Sequence, residues 1–229
     1  MQLRFLRAQF QTAPAALAAA LFSTGNMTAQ QSSNAEPLTV AFVLTEGSTM
    51  IDFAGPWEVF QDAIVDGREA YRLSTVGSSK SPIRTSGGMA VVPDHTFADA
   101  PKAEIIVIPA QRGAPELTDW LKKSYAGGST IMSVCTGAFK LAATGLLDGK
   151  PATTHHEFFD KFEQQFPNVK LQRGLRFVKS GDRLFTAGGL TSGIDLALHL
   201  VDLRLGRAAA ERTAEYMEYQ GNGWKLPQK

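Results

Sequence analysis

Ser129-Thr130-Ile131-Met132-Ser133-Val134-Cys135-Thr136-Gly137-Ala138-Phe139 is the stretch on which the fold turns. Residues 129–134 form a short, β-branched apolar run, which reads as a buried strand. Gly137 to Ala143 reads as a helix that stops before Gly145. A strand running straight into a helix with a nucleophile at the join is the layout of a nucleophile elbow. Such a turn is sharp and favours small neighbours, and Ser133 and Gly137 stand two residues either side of Cys135. A thiol there is expected to see backbone N–H groups and the positive end of the helix dipole, which lower its pKa. The N–H of Thr136 would then serve as an oxyanion donor. The alternative is a buried, inert cysteine, since free Cys is among the most buried residue types.

The same alternation extends outward in both directions. Leu38 to Leu44, Tyr71 to Val76 and Glu104 to Ile108 are further buried strands, the last stopped by Pro109. Asp52-Phe53-Ala54-Gly55-Pro56 is expected to open a helix with Pro56 in its first turn. Trp57, Phe60 and Ile64 would form one face of it, and Gly67 would end it. Ser78 to Gly88 reads as loop. Glu116–Tyr125, Glu157–Phe166, Ile194–Leu205 and Ala208–Tyr219 read as helices, and Phe177-Val178 with Leu184–Thr186 as a hairpin around Gly181-Asp182. Lys150 to Phe185 is expected to form a small appended layer. Strands alternating with helices predict an α/β fold, a mostly parallel sheet covered on both faces. Ligands of such sheets sit beyond the carboxyl ends of the strands. Asp52 and Cys135 both follow buried strands, so both fall at that end.

Composition narrows the function. Of 229 residues, 44% are apolar and 20% charged, the balance of a globular chain. The formal net charge is +1, which provides no bulk attraction for nucleic acid or an anionic membrane. The single cysteine excludes an intramolecular disulfide and a Cys-based zinc site. Residues 1–36 differ from the rest. Arg4 and Arg7 precede an apolar run, Ala13 to Phe22, and a polar stretch rich in Ser, Thr, Asn and Gln follows. That is the order of a secretory signal peptide, and the run is well short of the ~20 residues needed to span a bilayer. The expectation is a leader over 1–36, a single domain over 37–229, and a periplasmic or secreted product. A cytoplasmic protein with a disordered extension is the alternative.

Three further features bear on chemistry. Asp52 lies between Ile51 and Phe53, where desolvation would favour its protonated form and suit it to proton donation. It serves equally well as a helix N-cap. His155 and His156 are adjacent, which suits neither a metal site on one face nor an HxxxH pattern. One of them could approach Cys135, although a helix-start or satisfied core histidine is the simpler reading of each. Ala187-Gly188-Gly189-Leu190-Thr191-Ser192-Gly193 matches no phosphate-binding loop and reads as a close-packed turn capping the next helix, with Asp195 as a cap or orienting group. No metal or organic cofactor is expected.

These pieces together resemble the ThiJ/PfpI superfamily, a branch of the class I glutamine amidotransferase-like fold. The resemblance rests on Asp52-Phe53-Ala54-Gly55-Pro56, Val134-Cys135-Thr136-Gly137-Ala138, Gly145-Leu146-Leu147-Asp148-Gly149-Lys150, Ala152-Thr153-Thr154-His155 and Thr191-Ser192-Gly193-Ile194-Asp195-Leu196-Ala197. Within the superfamily it is most similar to the isonitrile hydratases and to the amidase-like sensor domains of AraC-type regulators. The resemblance implies a flavodoxin-like three-layer sandwich, a homodimer, and Cys135, Asp52 and Thr136 as the working residues. The protease-like branch carries His directly after the cysteine, and Thr136 stands there instead. Where relatives carry a Gly-Gly pair that helps form the oxyanion hole, this chain has Ala110-Gln111.

Three functions follow as expectations. The first is hydration of an isonitrile to an N-substituted formamide, a small-molecule reaction carried by Cys135 and Asp52. The second is other cysteine chemistry at the same site, on an amide or a small aldehyde. The third is a ligand- or oxidation-sensing domain without turnover. DNA-binding regulators of this type add a C-terminal helix-turn-helix domain, and the chain reads to Lys229 without one, so a regulator is disfavoured at this stage.

Overall fold

A computed structural model describes residues 36–225. The expected leader, apart from Glu36, lies outside the described residues. Seven strands form the central sheet: β1 (Leu38–Val43), β2 (Tyr71–Gly77), β3 (His95–Thr96), β4 (Ile105–Ile108), β5 (Thr130–Val134), β6 (Phe177–Lys179) and β7 (Leu184–Ala187). Their spatial order is β6-β7-β5-β4-β1-β2-β3. Only the β6–β7 pair is antiparallel; the other five pairings are parallel.

Each central strand is apolar on both faces, because helices cover both. Val40, Phe42, Ile105, Val107, Met132, Val134 and Phe185 face one core, packed by α1 (Met50–Gln61), α5 (Ser192–Leu205) and α6 (Arg207–Tyr216). Ala41, Val43, Ile106, Ile108, Ile131 and Leu184 face the other, packed by α2 (Leu117–Ala126), α3 (Gly137–Ala142) and α4 (Phe159–Gln165). The result is the expected three-layer α/β sandwich. No described helix is long and apolar enough to cross a membrane.

Local readings needed four corrections. Pro56 is the seventh residue of α1, not part of its first turn. A proline there has no N–H for the carbonyl four residues back. Its buried ring instead packs against the backbone at Gly193 on α5, where an added Cβ would lie 3.2 Å from the Pro56 Cγ. Gly67 does not end α1. Asp66 and Gly67, both with positive φ (51° and 74°), turn a small hairpin that pairs Ile64–Val65 with Arg68–Glu69. This is the Asp-Gly signature of a type I′ turn, and it takes Ile64 off the helix face. The segment read as loop after Ser78 contains Ile83–Arg84, paired antiparallel with Ala90–Val91. Lys150–Phe185 is not a separate layer: β6 and the start of β7 lie in the main sheet, and only Pro151–Ala152 with Lys170–Leu171 form a short pair of their own.

Candidate active site

Cys135 follows β5 directly and adopts φ 58°, the left-handed region that costs a residue with a side chain about 1–2 kcal/mol. The surrounding fold holds it there at three points. Its N–H donates to the Gly188 and Ala187 carbonyls at 2.9 and 3.2 Å, and its own carbonyl accepts from the Thr154 hydroxyl at 2.9 Å. The small neighbours expected of an elbow are required. A Cβ on Gly137 would stand 2.1 Å from the Ile108 carbonyl oxygen, so α3 can approach β4 only with glycine at this position. Ser133 is fully buried.

Asp52 reaches the same point from the first turn of α1. It does not cap that helix: Thr49 is the N-cap residue, and Asp52 Oδ2 accepts instead from the Ala110 N–H at 3.1 Å, just past β4. Oδ1 is buried without a partner at hydrogen-bond distance, and the Cys135 thiol and the Leu190 N–H face the carboxyl. Asp52 is wholly inaccessible to solvent. Burial pushes its pKa from 3.8 up to about 6, against the pull of the Ala110 N–H, the Cys135 side chain and the Leu190 N–H.

The thiol departs from the expectation of a lowered pKa. Burial first, and then the negative charge of Asp52, push it up to about 12. The Thr136 and Leu190 N–H groups pull the other way without overcoming these effects. The helix-terminus argument fails because α3 is a short helix and the sulfur lies in a desolvated pocket beside a carboxylate. The resting pair is therefore an Asp52 carboxylate facing a protonated thiol at neutral pH.

Thr136 meets the sulfur through its backbone. Its hydroxyl is not among the groups acting on Asp52 or Cys135, and the residue borders a cleft of about 330 Å³ with Gln111, Phe139, Lys140 and Lys161. On the other side of the elbow, a cleft of about 360 Å³ is lined by His155, Phe159, Leu175, Arg176 and Leu190. A further cleft, about 1020 Å³, lies between the Ile64–Glu69 hairpin and α6 and is lined by none of the site residues. His155 packs its ring against Gly189 and makes no hydrogen bond to the thiol among the described residues. It caps the short 3-10 turn His156–Phe158, its Nδ1 accepting from the Glu157 N–H, and it stacks on His156 at 4.5 Å. No cluster of three potential metal ligands occurs among the described residues.

Two site groups were invisible in the sequence. Both are backbone N–H groups, of Ala110 and Leu190, so the side chain at those positions says nothing about them. The Ala110 N–H is engaged by Asp52, as a glycine's would be, while the Gln111 side chain ties back to Val43 and Thr45. The Gly188-Gly189 pair is the one signal that pointed toward Leu190. A Cβ on Gly189 would lie 2.0 Å from the His155 ring, so the turn is close-packed as expected. Asp195 is buried and paired with Arg176, an orienting role rather than a cap.

Comparison with known proteins agrees with this fold. The sequence profile of the DJ-1/PfpI family matches residues 38–203. The chain is 32% identical to isonitrile hydratase from Pseudomonas putida, over 80% of this chain and 78% of that protein. It is 31% identical to the HTH-type transcriptional regulator CdhR from Pseudomonas aeruginosa, over 76% of this chain and 53% of the regulator. The chain thus spans about half the length of that regulator. Among solved structures, a ThiJ/PfpI family protein from Pseudomonas syringae superposes with a TM-score of 0.72 at 26% identity, covering 82% of this chain and 77% of that one.

Proposed function

The chain belongs to the DJ-1/PfpI family, and from that premise we propose that it is a cysteine-dependent hydratase that adds water to an isonitrile to give an N-substituted formamide. The observation that carries this reading is the buried Asp52–Cys135 pair, a carboxylate beside a protonated thiol. An isonitrile needs a nucleophile and a proton delivered to the same terminal carbon. Asp52 takes the thiol proton as the sulfur attacks and passes it to that carbon, leaving a thioimidate on Cys135. Water then adds to the thioimidate carbon. One of its protons goes to the carboxylate and the other to the substrate nitrogen. The carbon–sulfur bond breaks, the formamide leaves, and Asp52 returns the proton to the sulfur. The Thr136 and Leu190 N–H groups stabilise the sulfur anion whenever it forms. The cycle uses only this chain's own groups.

The test is turnover of a simple alkyl isonitrile to its formamide, with Cys135→Ala alongside. The wild type is expected to turn over and the variant to be inactive. Turnover that survives the substitution ends the proposal. A wild type with an intact thiol and no turnover also ends it. That result would favour the sensing role, which draws support from the regulators matched over most of this chain and from the burial of Cys135.

A further inference from the structure

Leu190 combines three properties that rarely coincide. Its backbone is in the left-handed region at φ 54°, its side chain is 45% exposed, and it stands two residues after Gly188, whose carbonyl accepts from the Cys135 N–H at 2.9 Å, so that the turn is bonded to the elbow and the Leu190 N–H acts on both Asp52 and the Cys135 sulfur. A leucine this exposed has little packing of its own to hold it at a strained φ, and its neighbours supply the constraint. The neighbours converge on one residue. The Arg176 carbonyl, just before β6, accepts from the Gly188 N–H at 2.9 Å. Its guanidinium reaches over the turn, and Nη1 and Nη2 both lie 3.2 Å from the Thr191 hydroxyl. Its Nε and Nη2 also bind Asp195 Oδ2 on α5 at 2.6 and 2.5 Å. Asp195 is itself buried against the backbone of Gly223 and faces Tyr219, so this anchor is fixed.

We propose that Arg176 is a positioning residue for Cys135: anchored on Asp195 and tied to Thr191, it holds the Gly188–Thr191 turn so that the Leu190 N–H points at the sulfur. The inference rests on Cys135 being the working nucleophile, but on no particular substrate. With the Ala110 N–H engaged by Asp52, Leu190 and Thr136 supply the two backbone donors that act on the sulfur. Asp52, from α1, is the one charged group acting on the thiol among the described residues; the elbow and the Gly188–Thr191 turn contribute N–H groups instead.

The test reads the thiol directly, as the rate of Cys135 alkylation by iodoacetamide across pH, in the full-length protein. Thr191→Val removes the tie at an exposed position and leaves the Arg176–Asp195 pair intact. Losing the Leu190 donor makes the sulfur a weaker acid, so alkylation at about pH 8 is expected to slow roughly threefold. Arg176→Lys should slow it similarly, because an ammonium cannot bridge Asp195 and Thr191 as a planar fork does. Thr191→Ser, which keeps the hydroxyl, should restore the wild-type rate. A turn that merely loosened would admit the reagent and speed the reaction. Unchanged or faster alkylation in folded Thr191→Val therefore overturns the proposal, whatever Arg176→Lys does. Absence of isonitrile turnover would end the hydratase reading and leave this measurement interpretable.

Discussion

Asp52 is kept charged at neutral pH where solvent does not reach, and the fold bears the cost. Its pKa is raised, so the folded protein holds this proton more tightly than the unfolded chain does. Stability from this group therefore increases as pH falls from about 6 toward 3.8, and the full cost is present above 6. By linkage that cost is about 3 kcal/mol. Asp52→Asn is expected to raise stability at about pH 8 by roughly 1–3 kcal/mol in urea unfolding, a gain that disappears by about pH 4. The same variant removes the charge that raises the Cys135 pKa, so its thiol should alkylate faster while hydratase turnover is lost. In the wild type, turnover should fall away as pH drops below about 6, where Asp52 becomes protonated. A variant that is less stable at both pH values would show that the carboxylate is compensated by contacts other than those described above.

Elements meet at the site because glycines let their backbones approach. Gly137 puts the start of α3 against the Ile108 and Pro109 carbonyls of β4, and Gly193 puts α5 against Val134 and Pro56. The obstacle at Gly137 is backbone, which cannot rotate away as a side chain could. Gly137→Ala should therefore cost about 3–5 kcal/mol, or abolish soluble expression, as measured by thermal melting. A melting temperature within a few degrees of wild type would mean that α3 can withdraw from β4 without loss. Sequence periodicity located these elements well where runs were long and buried. It failed at the two-residue hairpin strands, where pairing rather than burial defines the strand, and at Pro56, where tertiary contact with Gly193 overrides the usual preference.

Taken whole, the molecule presents its strand ends as one rim. The β1, β4, β5 and β7 termini converge there, beside the point where the sheet order reverses between β1 and β4. Met50 and Ile51, which precede Asp52, and Leu190 are exposed apolar residues on this rim. We propose that the chain forms a homodimer, as the family resemblance implies, with Met50 and Ile51 in its interface. Light scattering on the purified protein should give twice the chain mass, and Ile51→Lys should shift it toward the monomer. A monomeric wild type at micromolar concentration would count against the dimer.

The order of strands and helices, the elbow at Cys135 and the placing of Asp52 at the same end of the sheet were legible in the residues themselves; that Asp52 caps no helix and turns to Cys135 was decided by the fold. Buried strands leave an apolar run, glycine marks a close approach, and a family pattern ties distant motifs together. The ionisation of the pair was not legible. A helix start argues for an acidic thiol, yet the sulfur is desolvated and beside a carboxylate, and only the folded arrangement sets those opposing effects at one point. The donors of Ala110 and Leu190 were hidden for a related reason: every residue but proline carries an N–H, and where it points is decided by the turn that tertiary contacts impose.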